Sequence, residues 1–144
     1  MLQRIQSLWL LIASACSFLT IKYSFYSGNK LLKADPSQPV SPNFQYLTSG
    51  SSVLILILTI AVVCMALIDI FLYKNRKLQM RIALGAILLS LLNIFLFYRE
   101  TKSFVQGNYD LSAIFSLAVP VFLILAASGI YKDEKLVKSM DKLR

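Results

Sequence analysis

Two long apolar runs, residues 53–73 and 82–98, meet across the stretch 73–81, YKNRKLQMR, which packs Lys74, Arg76, Lys77 and Arg81 into a few positions. A basic knot between two apolar runs of spanning length holds a short loop on the cytoplasmic side of a membrane. This one stretch leaves few folds besides a helical hairpin through a bilayer.

Two further runs frame that hairpin. Residues 5–25 carry a single charge, Lys22, and residues 111–131 are apolar up to Lys132. Runs of about 20 residues match the hydrocarbon thickness. The third run, 82–98, is shorter by a strict count, and residues 78–81 can extend its helix through the interface. The expected fold is an all-α membrane protein: four transmembrane helices in one bundle, forming a single integral domain over residues 1–144, with an amphipathic cytoplasmic helix at the C-terminus. A signal peptide competes for the first run, because Ala13, Ser14 and Ala15 precede Cys16 in a loose resemblance to a lipoprotein cleavage site. The chain stays apolar over 17–25, beyond that cut, so an uncleaved anchor is expected.

The spans are separated by polar stretches. Residues 27–52 hold Gly, Ser, Asn and Gln with Pro36, Pro39 and Pro42, and read as an outer loop. Arg99, Glu100 and Lys102 open a short loop that ends near Asp110, with Gly107 and Asn108 as its turn residues.

Composition narrows the chemistry. Hydrophobic residues make up 57% and charged residues 15%, with a formal charge of +8. In a soluble chain that excess raises the question of nucleic acid. Here the basic residues sit beside apolar spans, so the expected partners are membrane lipids with anionic headgroups and no nucleic acid. The chain has no histidine, which removes imidazole-ligated haem and metal sites and every Ser/His or Cys/His nucleophile. Cys16 and Cys64 form no CxxC pair and read as small apolar packing residues. No catalytic residue, cofactor site or metal site is expected, and the chain is read as non-enzymatic.

Orientation follows from the basic residues. Ten of them (Arg4, the four of the central knot, Lys132, Lys135, Lys138, Lys142 and Arg144) fall on one side, against Lys22, Lys30, Lys33, Arg99 and Lys102 on the other. Both termini are therefore expected in the cytoplasm. Aromatic residues agree, with Trp9, Tyr73 and Tyr131 at the inner boundary and Tyr23, Tyr26, Tyr98 and Tyr109 at the outer one.

Three intramembrane polar positions stand out. Asp69 is the acidic residue inside a span, which makes it a functional candidate by default. It lies five residues before Lys74, about 7 to 8 Å along a helix, within reach of a basic partner such as Arg76 or Arg81. A structural ion pair or helix contact, and proton or cation handling, are the alternatives for it. Asn93 and Pro120 lie at matching depths, about 18 Å from the inner boundary. Pro120 frees the carbonyl of Ser116, to which Asn93 is placed to donate; a polar lining for a small solute is the alternative. Small residues, among them Ala13, Ser17, Ala86, Ser90, Ala126 and Gly129, imply close helix packing. The tail from Lys132 places Leu136, Met140 and Leu143 on one stripe, which suits a lipid-facing anchor or a docking surface.

The opening MLQRIQS, the loop KNRKLQMR and the close KDEKLVKS with Asp141, Leu143 and Arg144 resemble a family of small bacterial four-span membrane proteins catalogued as a domain of unknown function. The resemblance covers essentially the whole chain and implies a bacterial inner membrane protein without an assigned activity. Quinone-linked disulfide oxidoreductases, small multidrug exporters and b-type cytochromes fit less well. They need redox cysteine pairs, a membrane-embedded acid in the first span, and histidines.

Two functions follow as expectations. One is an accessory or scaffold subunit whose basic face, Arg4, Lys74, Arg76, Lys77, Arg81, Lys135, Lys138, Lys142 and Arg144, engages lipid and a membrane-protein partner or a second copy of the chain. The other is a small-solute or proton-coupled transporter using Asp69 and Asn93, for which several polar groups should converge at one depth.

Overall fold

The computed structural model describes residues 2–30, 43–72 and 75–141. Four helices carry the chain: α1 (Leu2–Lys22), α2 (Val53–Phe71), α3 (Arg76–Thr101) and α4 (Ala113–Asp141). Each is long and apolar enough to cross a membrane. They run alternately up and down, α1 packing on α2 and α4, and α3 on the same two neighbours. The bundle has a basic end, where α2 hands over to α3, and an opposite end closed by a small sheet.

Heptad-like spacing sets the inner faces. On α3 the buried residues are Gln79, Ala83, Ala86, Ser90, Asn93, Phe97 and Thr101, and on α2 they are Ile55, Thr59, Val62, Ala66 and Asp69. Steps of three and four keep a stripe on one side of a helix. The central core is small and aliphatic, built from Leu10, Ala13, Val62, Ala66, Ala86, Val119, Leu123 and Ala126. Alanines at four helix contacts let the backbones approach closely, as the small residues imply. Large apolar side chains such as Phe71, Leu88, Phe95 and Ile114 point outward instead.

The sheet is the main departure from an all-α chain. Strands β1 (Tyr26–Lys30), β2 (Asn43–Leu47) and β3 (Phe104–Tyr109) form an antiparallel sheet in the order β2-β1-β3. Part of the expected outer loop is therefore strand, and the expected turn residues Gly107 and Asn108 sit inside β3. Neither reverses the chain, since Gly107 pairs with Gly28 and Asn108 with Ser27 along the ladder. Gly107 faces Gly28 across the β1–β3 pair. A Cβ on Gly28 would lie 2.3 Å from the Gln106 carbonyl oxygen, and one on Gly107 would lie 2.5 Å from that of Ser27. These glycines permit backbone contact rather than chain reversal.

Aromatic residues fasten the sheet to the helices. Phe25 leaves α1 and stacks on Phe97 of α3 at 4.7 Å, while Tyr109 meets Phe25 edge-on at 5.8 Å and Tyr26 at 5.1 Å. Phe25, Leu47, Ile55, Phe97 and Ala113 form the core beneath it. Asp110 clasps the α1–β1 and β3–α4 junctions by accepting from the hydroxyls of Ser24 and Ser27, and Ser112 donates to the Ser24 carbonyl. Tyr23, Tyr26, Tyr98 and Tyr109 thus gather at the sheet end. Trp9 stacks on Phe122 between α1 and α4.

Helix limits also move. α3 runs nine residues beyond the apolar core 82–98, gaining a turn or so at each end. α4 passes without a break through Pro120 and the charged segment after Tyr131 as far as Asp141, so the tail continues the fourth helix. Pro36, Pro39, Pro42 and Tyr73 lie outside the described residues. Gly28→Ala should cost about 1 to 3 kcal/mol, because backbone must move to admit the methyl. Gly50→Ala, whose new carbon would be 3.6 Å from the Thr48 hydroxyl, should fall within about 0.5 kcal/mol of the parent. Reversible unfolding in mixed micelles separates the two.

Candidate functional site

Polar side chains are buried in two layers of the bundle. At the basic end each helix supplies one: Gln6, Asp69, Gln79 and Asp133. Gln6 Nε2 donates to Asp133 Oδ2 at 2.6 Å, joining α1 to α4. Gly129, one turn before Asp133, makes room for this pair, since a Cβ there would lie 2.8 Å from Gln6 Cγ. Gln79 Nε2 reaches the Asp69 backbone carbonyl at 3.1 Å and ties α3 to the end of α2. Arg76 Nη1 donates to the Asp133 carbonyl at 3.0 Å.

Asp69 itself is 1% exposed, and neither carboxyl oxygen has a hydrogen-bond partner among the described residues. The ion pair expected with Arg76 or Arg81 is therefore not formed. The reason is directional: Asp69 follows Ala66 on the inward stripe of α2, whereas Arg76 turns to α4 and Arg81 is exposed. A buried carboxyl without a partner is costly in any apolar interior.

The second layer lies toward the sheet. Ser49, fully buried in the 3-10 turn before α2, donates to the Thr20 carbonyl at 2.9 Å. Thr59 Oγ1 donates to Ile55 O at 2.8 Å and lies 3.3 Å from Ser49 Oγ. Asn93 Nδ2 then donates to Thr59 Oγ1 at 3.0 Å. Asn93 is thus bonded to α2 and not to the Ser116 carbonyl, the partner expected from depth. Depth alone fixes height and not direction, and the α3 stripe aims Asn93 at Thr59. Asn93 Oδ1 and Ser116 Oγ both remain unpartnered.

Outside the bundle, the start of α3 and the tail of α4 enclose a groove of about 630 Å³ at the basic end, lined by Asn75, Arg76, Lys77, Leu78, Arg81, Glu134 and Val137. Three of the expected basic residues are thereby brought together. Lys135 is exposed nearby on α4. Lys74, Lys142 and Arg144, and the side chains of Arg4 and Lys138, lie outside what is described. Cys64 is exposed and Cys16 half-buried, so only Cys16 serves as the packing residue expected of both.

A family model described as a domain of unknown function, DUF4293, matches residues 2–143. The chain belongs to this family. No curated protein and no solved structure matches it. The description of DUF4293 assigns no activity, so the function of this member rests on its geometry.

In this DUF4293 chain, sequence reasoning missed Gln6, Gln79 and Asp133 as buried groups, and also Thr20, Ser49, Thr59 and Ser116. The signal for two of them was available: Gln79 and Thr59 occupy the same three-four register as the neighbouring alanines. Thr59→Val should lower stability by about 1 to 3 kcal/mol, because it leaves the Asn93 amide without an acceptor in an apolar interior. Asp69→Asn should leave stability unchanged or raise it, because no hydrogen bond to the carboxyl is lost; unfolding in mixed micelles checks both.

Proposed function

We propose that this chain is a multi-pass protein of the bacterial cytoplasmic (inner) membrane with both termini in the cytoplasm. In this reading it is a non-enzymatic accessory or scaffold subunit whose basic face engages anionic headgroups and a membrane-protein partner or a second copy of the chain. The observation that carries the reading is the groove between α3 and α4, where Arg76, Lys77 and Arg81 stand beside apolar Leu78 and Val137. Cations next to apolar surface suit a ligand that is anionic at one point and apolar at the next, which describes both a lipid headgroup region and an amphipathic acidic segment. The outward belt of Leu, Ile and Phe supports lipid around the helices.

A second reading, a proton-coupled or small-solute transporter, draws on the unpartnered Asp69 carboxyl and the Asn93 layer. Asp69 and Thr59 are ten residues apart on α2, about 15 Å, so the two polar layers do not meet at one depth. That separation favours the subunit reading.

Gentle detergent extraction from native membranes, followed by identification of co-purifying proteins, tests the choice. A stable complex is expected, and Lys77→Glu with Arg81→Glu should release the partner without lowering the abundance of the chain. Recovery only as a free monomer, together with loss of function in Asp69→Asn at normal abundance, would overturn it in favour of transport.

A further inference from the structure

Asn93 and Ser116 line the same small void inside the bundle, where all four helices meet, together with Ser17, Thr20, Val62 and Ser90. The void is about 10 Å³, at the threshold for one ordered water. Both residues are more than nine-tenths buried, and each has an oxygen with no partner, Oδ1 of Asn93 and Oγ of Ser116. Two of the other three hydroxyls around the void bond back to carbonyls: Thr20 donates to Ser17 O at 2.7 Å and Ser90 to Ile87 O at 2.8 Å. Serines in helices ordinarily bond back to a carbonyl in this way, and Ser116 does not.

The orientation of Asn93 is fixed by its neighbour. Thr59 has one hydroxyl proton and donates it to Ile55 O, so it accepts from Asn93. The Asn93 amide must then face Thr59, leaving Oδ1 as an acceptor without a donor. Pro120 adds a third demand. Lacking an N–H, it gives the Ser116 carbonyl no donor one turn along α4. Asn93 Oδ1 and the Ser116 hydroxyl therefore lack partners among the described residues around a space the size of a single small molecule, beside a carbonyl that Pro120 deprives of its usual helical donor.

We infer that this void binds one ordered water molecule, held between Asn93 Oδ1 and Ser116, which bridges α3 to α4 where Pro120 interrupts the α4 ladder. A water offers two donors and two acceptors, matching acceptors on Asn93 and on the Ser116 carbonyl and a donor on the Ser116 hydroxyl. A sodium ion is the competing occupant of an oxygen-lined site. The lining side chains named carry no negative charge, and Asp69 is about 15 Å along α2 from Thr59, so nothing nearby balances a cation. Neutral water fits the site better.

The test is nuclear magnetic resonance on the full chain in lipid nanodiscs with labelled asparagine, the Asn93 side-chain amide being assigned by its disappearance in Asn93→Leu. A cross-relaxation peak between long-lived water and that amide is expected, and it should be lost in Ser116→Val, which fills the void. Ser116→Ala gives a second reading of the same loss if the larger side chain prevents folding. An unmoved Asn93 amide shift in these variants reports that the Thr59 bond is intact. Absence of the water peak in the parent, its persistence in both Ser116 variants, or movement of the Asn93 resonance when sodium replaces choline would each overturn the inference, the last in favour of a cation.

Discussion

When the outside of a bundle is as apolar as its inside, burial of apolar surface ceases to choose which helix faces meet. Leu88, Phe95 and Ile114 point outward here while alanines occupy the contacts. Close approach of small residues and a few interhelical hydrogen bonds must then set register and rotation. The bond from Asn93 to Thr59 orients α3 against α2, and Gln6 to Asp133 orients α1 against α4. Each of these pairs is made near one end, so the two layers pin the bundle while the alanine core between them brings the backbones together.

The sheet works on the same problem at the end where helices would otherwise fray. Its strands come from the α1–α2 connection and the α3–α4 connection, so pairing β1 with β3 links the two halves of the chain. Phe25 inserts beneath it against Phe97, and Asp110 fastens both junctions through Ser24 and Ser27. At the opposite end no sheet intervenes among the described residues. There α3 and α4 extend past the apolar core as helices, and the basic residues of α3 border an open groove with Glu134 and Val137 of α4. The two ends therefore differ in kind, one closed by a sheet, the other bordered by an open, charged groove, which is why a binding role is assigned to the latter.

The helices were legible because span length and the basic knot are properties of contiguous sequence. The strands were not: β1 reads YSGNK and β3 FVQGNY, and their glycines and asparagines signal turns until the partner strand is known. Gly28 and Gly107 acquire a reason only from each other. The candidate residues divide in the same way. Asp69 and Asn93 announce themselves as polar groups in apolar runs, but their partners depend on helix rotation, which depth counting does not contain. Arg76 illustrates the consequence, since it was placed near Asp69 by sequence distance and is found on the Asp133 carbonyl.

Sequence by itself determined four helices, their apolar middles, and the basic character of the Tyr73–Arg81 region, because the thickness of a membrane and the cost of burying charge act on consecutive residues. Tertiary structure alone decided that the polar residues form two separate layers, that Arg76, Lys77 and Arg81 share a groove with α4, and that the Ser116 hydroxyl lacks a partner among the described residues beside Asn93. Those outcomes depend on which faces of four helices meet, and that is settled by contacts between residues as far apart as Gln6 and Asp133.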